Sequence, residues 1–183
     1  MKKIISVLLI ITLLMGCIFV LAACSDKKSS SSKKKDKAPE IPEGYKRYQN
    51  DDLSFAYPED WTKRSGSAEI LVNPEGAGNN ITVVYEDKTD IYDDLTVESF
   101  NRKLRPSYEA IGMTLSNVAV KEGKTNNVEY VQISYNARRN GMSMKQTQLI
   151  TSIGDYTYSI TITEVDSDRE LVETVIETLY DKN

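Results

Sequence analysis

The sequence predicts an α+β domain in which helices pack on the faces of an antiparallel β-sheet. Asn140-Gly141 and Gly154-Asp155 are two-residue turn signals between strand-like segments, and the first suits a type I′ turn, which needs positive φ at both central positions. Residues 96–111 and 168–180 carry apolar side chains at helical spacing. The domain is expected over residues 44–183, after a signal peptide (residues 1–23) and a linker (residues 24–43).

The N-terminus predicts export and lipid attachment. A short positive start and the apolar run Ile4–Val20 form a secretory signal. The ending Leu21-Ala22-Ala23-Cys24 resembles the lipobox of bacterial lipoproteins, which implies cleavage before Cys24 and a covalent lipid such as palmitate on that residue. Cys17 is a poorer candidate, because bulky Met15 stands where a small residue is usual. The competing interpretation is an uncleaved anchor, since about 20 apolar residues can cross a bilayer.

Residues 24–43 predict a flexible tether. Six lysines and four acidic residues lie between positions 25 and 43, around a core of four serines and three lysines at 29–35. Such polar, low-complexity segments remain solvated, and a coil of about 18 residues spans roughly 25 Å. The alternative is that the lysines contact anionic headgroups.

Composition excludes several classes of function. The chain has no histidine and two cysteines, of which only Cys24 follows the predicted cleavage site. A Ser-His-Asp triad and imidazole or multi-cysteine metal sites are therefore excluded. Residues 44–183 contain 15 basic and 23 acidic residues, a net charge of −8, which argues against nucleic-acid binding. No cofactor other than the covalent lipid is expected.

The first half of the domain predicts four strands and one helix. Tyr45–Gln49 and Leu53–Tyr57 form a hairpin, and Glu69–Asn73 and Ile81–Glu86 are strand-like. The helix is expected over 96–111, with a kink or early break at Pro106 because proline lacks an N–H group. A further strand is expected over Leu115–Glu122.

The second half predicts a three-stranded meander over residues 127–165 and a final helix over 168–180. Alternation gives both faces of the meander apolar side chains, so both should be covered, and two helices are available to do so. The final helix is expected to begin with a capping box of Ser167 and Glu170. Its apolar stripe comprises Leu171, Val172, Val175, Ile176 and Leu179.

One segment carries a family resemblance. Tyr45-x-x-Tyr48-x-Asn50, followed by Leu53-Ser54-Phe55-x-Tyr57-Pro58-x-x-Trp61, resembles the opening of PsbP-like domains, the fold of the photosystem II extrinsic subunit and of many bacterial lipoproteins. The resemblance implies an α/β/α sandwich and a non-catalytic binding or assembly role. It transfers no ligand residues, and nothing in the sequence indicates a photosynthetic setting.

Several candidate sites compete with plain structural interpretations. The acidic run of Glu86, Asp87, Asp90, Asp93 and Asp94 could hold Ca²⁺ weakly, but it lacks EF-hand spacing, and acidic loops commonly precede helices.

The other candidates are also expected to be structural. The Gly76-Ala77-Gly78 loop could cradle phosphate, yet a strand is expected to follow it, which favours a turn. The aromatic cluster is interpreted as core and turn, and two tyrosines of the last strand as half-buried strand residues. These residues are Phe55, Tyr57, Pro58, Trp61, Tyr156 and Tyr158.

The leading hypothesis is a non-enzymatic, membrane-tethered binding or assembly module. It would lie on the extracytoplasmic face of the cell membrane and contact an envelope protein. The alternatives are a carboxylate-based glycan hydrolase, which needs no histidine or cysteine, and a weak calcium-binding surface protein. A solute receptor is less favoured, because about 140 residues seldom form two lobes around a ligand.

Overall fold

The computed structural model describes residues 37–66, 68–74, 78–165 and 169–183. Cys24, the export signal, most of the linker and the capping serine Ser167 lie outside the described residues, as do Gly76 and Ala77. The helices are α1 (Val97–Lys103), α2 (Arg105–Ala110) and α3 (Arg169–Thr178). The strands are β1 (Tyr45–Gln49), β2 (Leu53–Pro58), β3 (Thr62–Ser65), β4 (Glu69–Val72), β5 (Asn80–Asp87), β6 (Thr114–Thr125), β7 (Val128–Arg139), β8 (Met142–Ile153), β9 (Tyr156–Glu164) and β10 (Tyr180–Asp181).

The described strands form two antiparallel sheets, one of seven strands in the order β3-β4-β5-β9-β8-β7-β6 and one of three in the order β1-β2-β10. Both predicted meander turns are confirmed: Asn140 and Gly141 have φ of 50° and 82°, and Gly154 has φ of 58°. A third two-residue turn, Asn126-Asn127, joins β6 to β7, so the meander has four strands rather than the three predicted. Asparagine tolerates the left-handed φ of 48° at position 126.

The large sheet is covered on both faces, as its alternation predicts. On the α3 face, Leu149, Ile160 and Ile162 are fully buried in one apolar cluster with α3, β1 and β2. On the α1–α2 face, Ile133 and Tyr135 are buried in a second cluster with the two short helices. The molecule is thus an α+β fold with two cores that share one sheet.

Pro106 divides the helix predicted over 96–111, as expected. Helix α1 begins at a capping box between Thr96 and Ser99 and is capped at its C-terminus by Leu104. Pro106 then lies in the first turn of α2. A backbone N–H group there has no acceptor within the helix, so proline loses no helical hydrogen bond at this position. The two helices supply the buried side chains Phe100, Leu104 and Tyr108.

Two strands were missed by the sequence prediction, each for a physical reason. All four residues of β3 are exposed, so the strand has no apolar alternation, and Lys63 and Arg64 mark it as a charged edge strand. Strand β10 has only two residues and pairs with the first two residues of β2. Among the described helices, none is long and apolar enough to cross a membrane.

The β6–β7 turn holds the C-terminal end of α3. The Asn126 side-chain amide donates to the carbonyls of Glu177 and Leu179, at 2.9 Å each. The Asn127 side chain donates to the Asp181 carbonyl at 2.8 Å and accepts from its N–H group at 3.0 Å. The bonds to Glu177 and Leu179 satisfy carbonyls that the helix end leaves without partners, and the bonds to Asp181 hold β10.

We therefore expect Asn126→Gly to lower the free energy of unfolding by about 1–3 kcal/mol, because glycine retains the positive φ but loses both bonds to the helix end. Asn140→Gly is the matched control: Asn140 has nearly the same φ, and its side chain makes no hydrogen bond to another described residue. Urea denaturation measures both variants. Equal midpoints would show that the bonds contribute nothing.

Candidate functional site

A cleft of about 670 Å³ opens on the α1–α2 face of the large sheet. It lies where β5 ends at Asp87 and β9 begins at Tyr156, and we call this end of the sheet the Asp87 end. The loop after β5 forms one wall, and β6, β7, β8 and β9 form the floor and the other wall. The lining residues are Thr89, Tyr92, Asp93, Glu122, Gly123, Lys124, Glu129, Tyr130, Val131, Ile150, Thr151, Ser152 and Thr157.

Hydrogen bonds fix the loop wall against the sheet. The Lys88 N–H group donates to the Asp155 carbonyl at 2.9 Å, and the Thr89 N–H group donates to the Thr157 hydroxyl at 3.1 Å. Behind the floor, the Thr151 hydroxyl links β8 to β7 by donating to the Glu129 carbonyl at 2.8 Å. The cleft is therefore built on regular strands and a pinned loop.

The charge of the cleft is negative. Lys124 and Glu129, opposite each other across β6 and β7, form an ion pair at 2.7 Å. The hydrogen bond from Lys124 and then its charge lower the pKa of the Glu129 carboxyl. Asp93 and Glu122 are exposed and make no ion pair with any described residue, so two carboxylates remain uncompensated.

One tyrosine, Tyr92, has its side chain in the cleft, whereas Tyr130 packs on the other face of the sheet. The Tyr92 side chain is only 8% exposed, and its hydroxyl has no hydrogen-bond partner among the described residues. Burial, followed by the charge of Glu86, raises its pKa well above the usual value. The Tyr130 ring lies over Gly123 on the opposite, α3 face of the sheet, where a Cβ atom at position 123 would collide with it. A larger residue at this position of β6 would require the Tyr130 ring to move.

A second surface, on the α3 face of the same end, is aromatic. We call Tyr85, Tyr156 and Tyr158 the tyrosine patch; the Tyr85 ring lies 5.4 Å from Tyr156 and 5.6 Å from Tyr158. Tyr85 is 60% exposed and Tyr156 38%, whereas Tyr158 is buried and donates to the Asp52 carboxylate. Tyr156 and Tyr158 were candidates from the sequence, whereas Tyr85 was not.

The five acidic residues proposed for calcium do not converge. Glu86 and Asp87 are adjacent on β5 and so point to opposite faces of the sheet. Asp90 and Asp94 are exposed in the loop, and only Asp93 lines the cleft. Among the described residues no group of three or more acidic, histidine or cysteine side chains is placed to hold a metal ion. The calcium hypothesis gains no support from this arrangement.

The aromatic cluster near the N-terminus is core, as interpreted from the sequence. Phe55, Tyr57 and Trp61 are buried in the cluster on the α3 face. The Pro58 carbonyl accepts a hydrogen bond from the Trp61 N–H group at 3.2 Å, which closes the predicted turn. Gly78 is followed by a strand, β5, as expected for a turn rather than a phosphate loop.

Comparison with protein families decides the identity of the fold. The family model described as PsbP-like protein matches residues 4–182, almost the whole chain. The chain belongs to the PsbP-like family. The resemblance read from Tyr45–Trp61 is thereby confirmed, and so is the expected α+β architecture. None of the curated proteins matches this PsbP-like chain.

Solved structures are similar to this chain at low identity. The solution structure of cyanobacterial PsbP (CyanoP) from Synechocystis sp. PCC 6803 is 14% identical with a TM-score of 0.53, and the match covers 75% of this chain and 92% of CyanoP. LpqN from Mycobacterium tuberculosis, involved in cell envelope biogenesis, is 11% identical with a TM-score of 0.45, covering 76% and 91%. A crystal structure from Bacteroides thetaiotaomicron is 16% identical with a TM-score of 0.46, and the match covers 72% of this chain but only 45% of that protein.

The buried tyrosines are expected to lower the free energy of unfolding at alkaline pH. Burial raises the pKa of Tyr48, Tyr108, Tyr135 and Tyr158, and hydrogen bonds to the Glu69 and Asp52 carboxylates raise it further in the first and last of these. In the unfolded chain a tyrosine ionises near pH 10. Above that pH the unfolded state loses protons that the native state retains, so the free energy of unfolding falls as pH rises.

We expect these phenols to ionise only when the protein unfolds, so that phenolate absorbance and loss of circular dichroism coincide above about pH 10. Tyr158→Phe should reduce the steepness of the decline, since it removes one coupled proton. Complete ionisation of all tyrosines near pH 10 with the fold intact would contradict the prediction.

Proposed function

We propose that the chain is a lipid-anchored, non-catalytic binding module that acts on the extracytoplasmic face of the cell membrane and presents the cleft to an envelope partner. The lipobox at Cys24, the linker and membership of the PsbP-like family support this proposal. The observation that carries it is the position of the cleft relative to the point where the linker joins the domain.

The linker joins the domain at the end of the sheet opposite the cleft. The Gly44 carbonyl accepts from the Glu59 N–H group at 3.0 Å, and Lys46 donates to the Trp61 carbonyl at 2.8 Å. Trp61 directly precedes β3. The first residue of β3 pairs with Val72 of β4, and Val72 pairs with Asn80 at the start of β5. Strand β5 runs from there to Asp87, so Gly44 lies beside the far end of the sheet, which we call the Gly44 end.

Charge differs between the two ends. The Gly44 end carries both signs: Arg138 and Arg139 at the β7–β8 turn and Arg105, whose guanidinium donates to the Leu115 carbonyl at 3.0 Å, lie there with the exposed carboxylates of Glu59 and Asp60. The Asp87 end carries the carboxylates of the cleft and of the loop after β5. Anionic headgroups attract arginine and repel carboxylate, which favours a domain whose Asp87 end points away from the membrane.

One cleft carboxylate, that of Glu129, does not suit the acid step of glycan hydrolysis. A glycan hydrolase needs one carboxyl with a raised pKa as general acid and a second carboxyl as base or nucleophile. In the cleft, Lys124 lowers the pKa of the Glu129 carboxyl, the opposite of what a general acid requires. The proposal therefore contains no reaction step.

Anchorage is tested by replacing the predicted lipid attachment site. We expect Cys24→Ser to prevent lipidation and to release the protein from the membrane fraction, because the linker and domain then lack acyl chains. Cys17→Ser is the matched control and should leave anchorage unchanged. Mass spectrometry of the mature N-terminus checks both. Unmodified Met1, or membrane retention of Cys24→Ser, would refute the lipid anchor.

Presentation of the cleft is tested by site-specific photocrosslinking in intact cells. A photoreactive residue at Glu122, on the cleft wall, should capture an envelope protein reproducibly. The same residue at Ser143, an exposed strand position near the Gly44 end, is the control and should not capture that protein. Capture of the same protein from both positions, or of none from Glu122, would refute the cleft as the partner surface.

A further inference from the structure

Another cavity, of about 430 Å³, opens on the α3 face beside the tyrosine patch. Tyr85 of the patch lines it, and we call it the Tyr85 pocket. Its other walls include Tyr48 of β1, Asn50 of the turn after β1, and Ser65 and Glu69 of the β3–β4 hairpin. A cavity of this size can hold a small ligand, since ligand pockets measure about 300–1,000 Å³.

The exposed ring of Tyr85 gives the pocket an aromatic side. Tyr85 lies two residues beyond Val83, whose pairing with Glu69 is the last one between β4 and β5. An aromatic side chain can bury about 150–250 Å², yet Tyr85 is 60% exposed, more than any other large apolar side chain of the described residues. An exposed apolar surface with a polar rim is typical of a binding site.

The opposite wall is fixed and electrically balanced. The Glu69 carboxylate pairs with the Lys63 ammonium at 2.8 Å and accepts a hydrogen bond from the Tyr48 hydroxyl. The Lys63 ammonium in turn lies 5.0 Å from the centre of the Tyr48 ring. Glu69 is the one charged side chain among the described residues that line the pocket, and Lys63 balances its charge. An ionic ligand would therefore find no counter-charge there.

Hydrogen-bonding groups remain available around the pocket. The hydroxyls of Ser65 and Tyr85 make no hydrogen bond with another described residue. The two oxygens of Glu69 have about four acceptor positions, and the bonds from Lys63 and Tyr48 use only part of them. A purely aliphatic ligand would bury these groups without partners, which costs free energy. The pocket therefore suits a ligand that is neutral and has both an apolar face and polar edges.

A neutral saccharide has this combination of properties. One face of a pyranose ring carries C–H hydrogens, which the negative face of an aromatic ring attracts. The hydroxyls around the sugar ring both donate and accept hydrogen bonds, as the rim of the pocket requires. The sugar also brings no charge, in keeping with the balanced pair of Lys63 and Glu69.

We propose that the Tyr85 pocket binds a neutral saccharide unit. Tyr85 supplies the stacking surface, Glu69 accepts a hydrogen bond from one sugar hydroxyl, and Ser65 donates to another. Tyr156, which is 38% exposed and whose ring lies 5.4 Å from that of Tyr85, extends the aromatic surface toward a second unit. The inference goes beyond the proposed function, since it depends on neither the cleft nor the lipid anchor.

The test is calorimetric titration of the full chain, solubilised in a detergent that has no sugar headgroup. The probes are three neutral tetrasaccharides: cellotetraose, maltotetraose and N-acetylated chitotetraose. Tetragalacturonate tests for a charge site, and hexaproline tests for a site that binds a protein segment. We expect at least one neutral tetrasaccharide to bind at millimolar concentration or below, more tightly than both comparison ligands. Its affinity should change less than about twofold between roughly 0.05 and 0.5 M salt, because the pocket has no net charge.

Four variants identify the residues that recognise the sugar. Tyr85→Ala should weaken binding by about tenfold or more, because it removes the stacking surface, whereas Tyr85→Phe keeps the ring and should retain most of the affinity. Glu69→Gln should weaken binding several-fold, since an amide accepts hydrogen bonds less strongly than a carboxylate. Met142→Ala is the matched control: Met142 is 58% exposed at the Gly44 end, and its loss should leave affinity unchanged.

Each contrary result overturns the proposal. Absence of binding by all three neutral tetrasaccharides at millimolar concentration would do so, whatever the anchorage and crosslinking experiments show. Tighter binding of tetragalacturonate would show a charge site, and tighter binding of hexaproline would show a protein-binding site. Full affinity of Tyr85→Ala, with a native circular dichroism spectrum, would place the sugar elsewhere. An equal loss of affinity in Met142→Ala would show a non-specific effect.

Discussion

The fold depends on one constraint: both faces of the seven-stranded sheet are apolar, so both must be covered. Helix α3 and the small sheet cover one face, and α1 and α2 cover the other. The second cover is short. Thirteen helical residues, divided at Pro106, span about 20 Å, whereas the twelve residues of β7 span about 40 Å. The helices therefore leave part of the sheet to the loop after β5, and the cleft lies between that loop and the strands.

The parts of the fold set by local chemistry could be predicted from the sequence. Asn140-Gly141 specifies its turn because both residues tolerate positive φ, and that turn fixes the register from which the two faces follow. Strands β3 and β10 and the Asn126-Asn127 turn could not be predicted in the same way. Strand β3 has no buried side chain, and Asn126 takes part in a contact with residues more than fifty positions away.

The candidate site shows the same division between local and distant contacts. The local acidic run in the sequence indicates Asp93. The cleft also contains Glu122, which lies on strand β6, far from Asp93 along the chain. Tyr85 was missed because alternation with Ile81 and Val83 assigns it to the buried α3 face, and that assignment is correct. Its exposure follows from the extent of the cover: β5 continues past the small sheet, so its last tyrosine is left at the surface.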